Sequence, residues 1–176
     1  MSGRTQNGFS LIELLIVVAI ILIIAGIAIP NLIQAKIAAN QASAVQSLRT
    51  ISSAAAEYSS SYQDGYPPSL AVLGSPAGIA DCNAAGLIDA QLVAGAKSGY
   101  QFAWHVGADQ VTGAAVPPGC AGGYLDMYSV TADPFGFPTG TTHYCVDANE
   151  VIRENTATIA TTTANGCDPA AQAIGN

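Results

Sequence analysis

From Leu14 to Ala35 the chain carries no charged residue, and Leu14 to Ile29 is an unbroken run of sixteen apolar or Gly residues. With Phe9–Ile12 before it and Leu32-Ile33 after it, the segment is long enough to cross a bilayer as a helix. It accounts for the character of a 176-residue chain that is 50% hydrophobic and 10% charged, with a mean hydropathy of +0.36. The remainder is different. From Asp64 onward there are ten acids against two bases, Lys97 and Arg153, a net charge of −8. The sequence therefore divides into an apolar N-terminal segment and an acidic soluble domain. An acidic surface repels phosphates, which argues against a nucleic-acid partner, and no basic patch offsets it. Scarce charge also leaves little for acid–base catalysis, and an enzyme is not expected.

Glu13 breaks the apolar pattern. A carboxylate in hydrocarbon costs several kcal/mol unless it finds a partner or a proton. A cleaved secretory signal ending at Gly26-Ile27-Ala28 is disfavoured on three counts. Its n-region would hold one base, Arg4; Glu13 would interrupt its h-region; and helical patterning continues past Pro30. A plain single-pass anchor leaves Glu13 unexplained.

Beyond Pro30 the pattern becomes amphipathic. Ala44, Leu48, Ile51, Ala55, Tyr58 and Tyr62 follow helical spacing, while Gln46, Arg49, Ser53 and Glu57 fall on other faces. Asp64-Gly65 and Pro67-Pro68 mark the end of the helix. Phe9 to Tyr62 is thus predicted as one helix about 80 Å long at 1.5 Å per residue. Gly26 and Pro30 are its weak points, since Pro30 lacks an N–H and crowds the preceding turn. The Ala44–Tyr62 stripe is expected to pack on the acidic domain.

The stretch Gly8-Phe9-Ser10-Leu11-Ile12-Glu13-Leu14-Leu15-Ile16-Val17-Val18-Ala19-Ile20-Ile21 resembles the class III signal of type IV pilins and pseudopilins. The resemblance takes in a short polar leader (Met1–Asn7), Gly before Phe, Glu five residues into the mature chain, and an apolar helix with a Pro near its middle. It is dense over about the first 25 residues and fits the long amphipathic continuation. Tyr66-Pro67-Pro68-Ser69-Leu70 also resembles the start of a loop in some pilins.

The resemblance implies cleavage by a prepilin peptidase between Gly8 and Phe9 and N-methylation of Phe9. It implies that Glu13 pairs with the N-terminal ammonium of a neighbouring subunit, setting register in a filament core. Phe9, Glu13, Leu14, Ile16, Val17, Ile20, Ile21 and Ile24 would be the assembly residues. Gly26 and Pro30 would mark helix that loosens on packing. The organisation is then leader (1–8), membrane and filament-core helix (9–36), amphipathic continuation (37–63) and head (64–176). The implied partners are identical subunits, the peptidase and methyltransferase, and an inner-membrane platform with its ATPases. The implied locations are the inner membrane, then a filament outside the cell. Losing Met1–Gly8 removes Arg4 and leaves 4 bases against 12 acids, a side-chain charge of −8.

In the head, Asn83–Ala94 is compatible with a short helix using Leu87, Ile88, Leu92 and Val93. Gly99–Val106 alternates, with Tyr100, Phe102, Trp104 and Val106 on one face of a strand. Tyr124–Ala132, Thr142–Asp147 and Val151–Arg153 read as further strands. Pro134–Pro138 reads as a loop, and Asp147–Glu150 as a turn. The expected class is α+β, a long N-terminal helix packed against a small antiparallel sheet. The tail from Thr156 shows little pattern and is expected at the surface.

Cys82, Cys120, Cys145 and Cys167 all lie in the head. An even count in an exported domain reads as two disulfides, with three connectivities open. Cys82–Cys120 with Cys145–Cys167 is preferred, because the second bridge staples the loose tail to a strand. Pilins commonly have one C-terminal disulfide, so a second is a departure. The spacings match neither Cys-x-x-Cys redox motifs nor zinc knuckles. His105 and His143 are expected to face solvent. Asp147, Asn149 and Glu150 invite comparison with the calcium loops of some major pseudopilins, but lack EF-hand spacing and read as a plain turn. Tyr58, Tyr62, Tyr66, Tyr100, Tyr124, Tyr128 and Tyr144 suit core and surface roles without a conductive path. No cofactor or metal is expected.

The function implied by the resemblance is a structural subunit of a type IV pilus-like filament, serving adhesion, motility or DNA uptake. The alternatives are a major pseudopilin of a type II secretion system and, in another class, a membrane-anchored binding domain that does not polymerise.

Overall fold

A computed structural model of the chain describes residues 9–62, 65–75, 78–107, 119–120, 126–159, 161–162 and 166–174. The leader with Gly8, and also Asp64 and Tyr124, lie outside the described residues. The fold is α+β: one long N-terminal helix and a small antiparallel sheet of six strands. Two compact units divide between Lys36 and Ile37.

Helix α1 (Leu11–Tyr62) runs for 52 residues with Pro30 inside it. It begins two residues later than predicted. The Ser10 carbonyl accepts the backbone N–H groups of Glu13 (3.1 Å) and Leu14 (3.2 Å). Pro30 cannot donate to the carbonyl four residues before it. One residue on, Asn31 Nδ2 donates to Ile27 O at 3.0 Å and adds a side-chain bond to the same turn.

In the second unit, α1 forms one wall of the core. Ala44, Leu48, Ile51, Ala55 and Tyr58 are buried, and Tyr62 packs against them. Gln46, Arg49, Ser53 and Glu57 are exposed. The stripe is wider than its apolar pattern, because Ser47, Ser52 and Ala54 are buried as well. Small side chains permit this: a helix face of Ala and Ser lets a sheet approach closely.

The sheet holds β1 (Ala96–Lys97), β2 (Tyr100–Val106), β3 (Tyr128–Pro134), β4 (His143–Asp147), β5 (Arg153–Asn155) and β8 (Gln172–Ala173), in that order. Every pairing is antiparallel. The centre is fixed by Trp104 opposite Val130 and Val130 opposite Val146. β6 (Thr161–Thr162) and β7 (Gly166–Cys167) pair separately. Tyr100, Phe102, Tyr128, Val130, Ala132, Tyr144 and Val146 share the core with α1, and Trp104 stacks on Tyr128 at 4.6 Å between ring centroids.

Several expectations need correction. The helix predicted over Asn83–Ala94 is only α2 (Ala90–Val93), because Asp89 caps it, accepting Leu92 N–H at 2.9 Å. Leu87 and Ile88 still join the core, but from a loop. The second strand starts at Tyr128 and runs to Pro134, and the fourth occupies Arg153–Asn155. Val106 alternates onto the inner face yet is exposed, since it ends its strand beyond the reach of the core.

Among the described residues, part of the tail is not loose surface. Tyr144 and Val146 face α1, so period-two alternation turns Cys145 to the opposite face. There Cys145, Ile159, Cys167 and Ala171 form a second buried cluster. β8 extends the sheet beyond β5, and Arg153 donates to Pro169 O (3.3 Å) and Ala171 O (3.1 Å). Among the described tail residues, Ile159, Cys167 and Ala171 thus cover the outer sheet face, while Thr156, Ala157 and Thr158 stay exposed. With Ile159 and Ile174 as its only large aliphatic residues, the tail gave no periodic signal of this.

Candidate assembly surface

The apolar segment presents its side chains outward. Phe9 (73%), Leu11, Ile12, Leu14, Ile16, Val17, Ile20, Ile21 and Ile24 are all exposed, as is Glu13. Exposure of this many large apolar groups is untenable in water; the segment requires lipid or protein around it. By length and composition α1 contains a stretch able to cross a membrane.

The helix places the candidate assembly residues together. At about 100° per residue, Glu13, Ile16, Val17, Ile20, Ile21 and Ile24 fall within an arc of roughly 140°, with Leu14 at its edge, while Phe9 precedes the helix. The segment is apolar all round, so hydrophobicity does not select this face, and Glu13 is the one charged residue on it. Glu13 stands in the first helical turn, where the helix macrodipole favours negative charge. The Ser10-Leu11-Ile12-Glu13 spacing is also that of a capping box. The helix start thus provides a local stabilising role for this carboxylate, but only a weak one beside the cost of burying it unpaired.

Residues 3–29 match a family model described as the prokaryotic N-terminal methylation motif. The chain carries a class III signal. That motif is the hallmark of type IV pilins and pseudopilins, and it spans the leader from Gly3, the Gly8-Phe9 junction, Glu13 and the apolar run through Ile29. No curated protein and no solved structure is significantly similar to the chain. The head is therefore described from its own geometry.

Both disulfides form in the head. Cys82 joins Cys120 across a Cα–Cα distance of 5.6 Å, and Cys145 joins Cys167 across 5.9 Å. Tyr58 Oη on α1 donates to the Cys82 carbonyl at 2.8 Å, and Asn83 Nδ2 donates to Gly119 O at 2.8 Å. Both bonds reinforce the ends of the first bridge.

The histidines correct the expectation that they face solvent. His143 Nδ1 lies 2.6 Å from Asp133 Oδ1, with its side chain 19% exposed. His105 is half-buried, with Nε2 at 3.2 Å from Thr131 Oγ1. Each is a cross-strand partner. Asp147 is buried, and its carboxylate accepts the backbone N–H groups of Asn149 (3.0 Å) and Cys167 (3.2 Å). The Asp147–Glu150 segment is a turn, with Glu150 N–H donating to Asp147 O at 2.9 Å and Glu150 at φ 61°. Among the described residues no cluster of His, Cys, Asp and Glu could hold a metal ion.

Tyr58, Tyr100, Tyr128 and Tyr144 are buried in the core. Tyr100 Oη donates to Thr142 O at 2.9 Å, and Tyr128 Oη donates to Ser52 Oγ at 3.3 Å. Burial pushes both phenols up to about 12 and also raises Tyr144. Asp89 is lowered, first by its hydrogen bond from Lys97 Nζ at 2.9 Å and then by that from Leu92 N–H.

Contacts that sequence reasoning missed tie the start of the packed half of α1 to the loop after β3. Asn40 Nδ2 donates to Thr139 O at 2.8 Å, and Gln41 Nε2 donates to Thr141 Oγ1 (3.2 Å) and Thr142 Oγ1 (3.1 Å). These residues lie about a hundred positions apart in the chain, and single polar side chains announce no such pairing.

Proposed function

We propose that the chain is the precursor of a structural subunit of a type IV pilus-like surface filament. The observation that carries the reading is the class III signal on an apolar helix whose only charge from Phe9 to Ala35 is Glu13. The precursor is held in the inner membrane by this helix, cut between Gly8 and Phe9, and methylated on Phe9. Subunits then leave the membrane by exchanging lipid for one another around the Leu14–Ile29 helix. A head-to-tail contact that repeats without closing yields a filament. Within it, Glu13 meets the N-terminal ammonium of a neighbour, so the carboxylate gains its partner only when register is correct. Energy for extraction comes from partner ATPases.

The test is Glu13→Ala in the native host, read by membrane fractionation and electron microscopy of sheared surface material. The variant is expected in the membrane at normal level with filaments lost or crippled. Unchanged filament assembly overturns the role of Glu13. Short rods appearing only on overproduction would assign the chain to the pseudopilins of type II secretion.

A further inference from the structure

Within the second unit, the large apolar side chains that stay exposed among the described residues are Ile79, Val106, Phe135 and Phe137. The two phenylalanines share one loop, at 63% and 74% exposure. The loop's backbone is well anchored. Phe135 N–H donates to Gly99 O at 3.0 Å, Thr139 N–H donates to Gly136 O at 2.7 Å, and Asn40 Nδ2 holds Thr139 O. A backbone tied to the rest of the head at two points, Gly99 and Asn40, and closed on itself by Thr139 N–H to Gly136 O, leaves both rings in solvent and calls for something to cover them.

Chain connectivity says what lies near. Asn40 follows Lys36, the first charge after the uncharged stretch, by four residues. Four residues span about 6 Å as helix and no more than about 14 Å fully extended. Whatever the arrangement of the two units, the loop fixed to Asn40 is therefore tethered close to the point where the apolar segment ends. Val106, at the other end of β2 from Tyr100, has no such tether.

We propose that Phe135 and Phe137 dip into the bilayer surface while the precursor is anchored, forming a second, reversible membrane contact. This rests on reading the apolar segment as a membrane span. Apolar rings lodge at the headgroup–acyl boundary, about 5–10 Å deep, with polar groups left at the water side. The polar groups close to the loop fit that placement: Asp133 paired with His143, and the Thr139, Thr141 and Thr142 positions that face Asn40 and Gln41. The contact holds the head against the membrane until extraction breaks it.

The experiment uses full-length precursor in phosphatidylethanolamine–phosphatidylglycerol vesicles containing lipids brominated just below the headgroup. Phe137→Trp is compared with Val106→Trp and with the unsubstituted protein, whose Trp104 supplies the common background; Phe135→Trp serves if Phe137→Trp does not fold. Vesicle flotation is measured in parallel. The expected result is that brominated vesicles quench the emission added by Phe137→Trp and leave that added by Val106→Trp unchanged. Protein that floats with the vesicles but shows no added quenching for a substitution at position 137 or 135 overturns the lipid contact and leaves the membrane span standing. Protein that does not float overturns both. Shielding of the indole introduced at position 137 that is seen only in assembled filaments overturns the lipid contact in favour of a second copy of the chain.

Discussion

Asp147 Oδ2, at the end of strand β4, accepts the backbone N–H of Cys167 in strand β7 at 3.2 Å, across a sequence separation of 20. The same tail is tied two residues away by the Cys145–Cys167 bridge. The closing segment of the head is thus held by a buried carboxylate and a covalent link acting on one point.

Asp147→Ala removes the acceptor for Asn149 and Cys167 N–H together. Hydrogen bonds to a charged group are worth about 1.5–3 kcal/mol, so the head is expected to lose about 2 kcal/mol or more. Urea unfolding of the detergent-solubilised protein measures it. Gly166→Ala should act in the same direction, because its φ is +80° and a Cβ there would lie 2.7 Å from Asp147 Cβ.

Replacing Cys145 and Cys167 together by Ser opens a loop with a sequence separation of 22. The chain-entropy model assigns about 3 kcal/mol to such a bridge. The expected readout is a lower unfolding midpoint with faster proteolysis after residue 156, while Cys82–Cys120 stays oxidised in a mass map.

The helix stripe separates core from surface within a few residues. Leu48→Ala should cost about 2–5 kcal/mol, because Leu48 is fully buried against the sheet. Gln46→Ala, two residues away and exposed, should change stability by no more than about 0.5 kcal/mol. Equal effects at the two positions in thermal unfolding would contradict the packing described.

Tyr100 and Tyr128 have folded values raised to about 12 from 10.0. A raised value means the neutral phenol is favoured in the fold. Its contribution is fully present below pH 10 and is lost as pH rises from 10 toward 12. Stability should therefore fall steeply in that window, and less steeply in Tyr128→Phe, which has no phenol to ionise there. Denaturant titration at successive alkaline pH values checks it.

Legibility in the sequence followed the size of the signal. The apolar run and the Ala44–Tyr62 stripe are long and periodic, so burial at Ala44, Leu48, Ile51, Ala55 and Tyr58 could be read directly. The strand at Tyr100–Val106 showed itself by alternating aromatics, although Val106 at its end escapes the core. The Cys145–Cys167 staple was legible, but the rest of the tail was misread because it is held by features without periodicity: Arg153 reaching two carbonyls, and an aspartate accepting a distant N–H. The histidines were misplaced because alternation assigns a face and not a cross-strand partner; Asp133 opposite His143 depends on register. The N-terminal signal was legible only through its motif. In an all-apolar helix no periodic pattern selects a face, and Glu13 is the one residue that departs from it.

The central claim is that this chain is trimmed at Gly8 and lives on as a filament subunit. Mass spectrometry of the N-terminus of protein sheared from the cell surface tests it most directly. The account predicts chains beginning at N-methylated Phe9, recovered from long filaments. Chains that retain Met1, or that begin after Ala28, would contradict it.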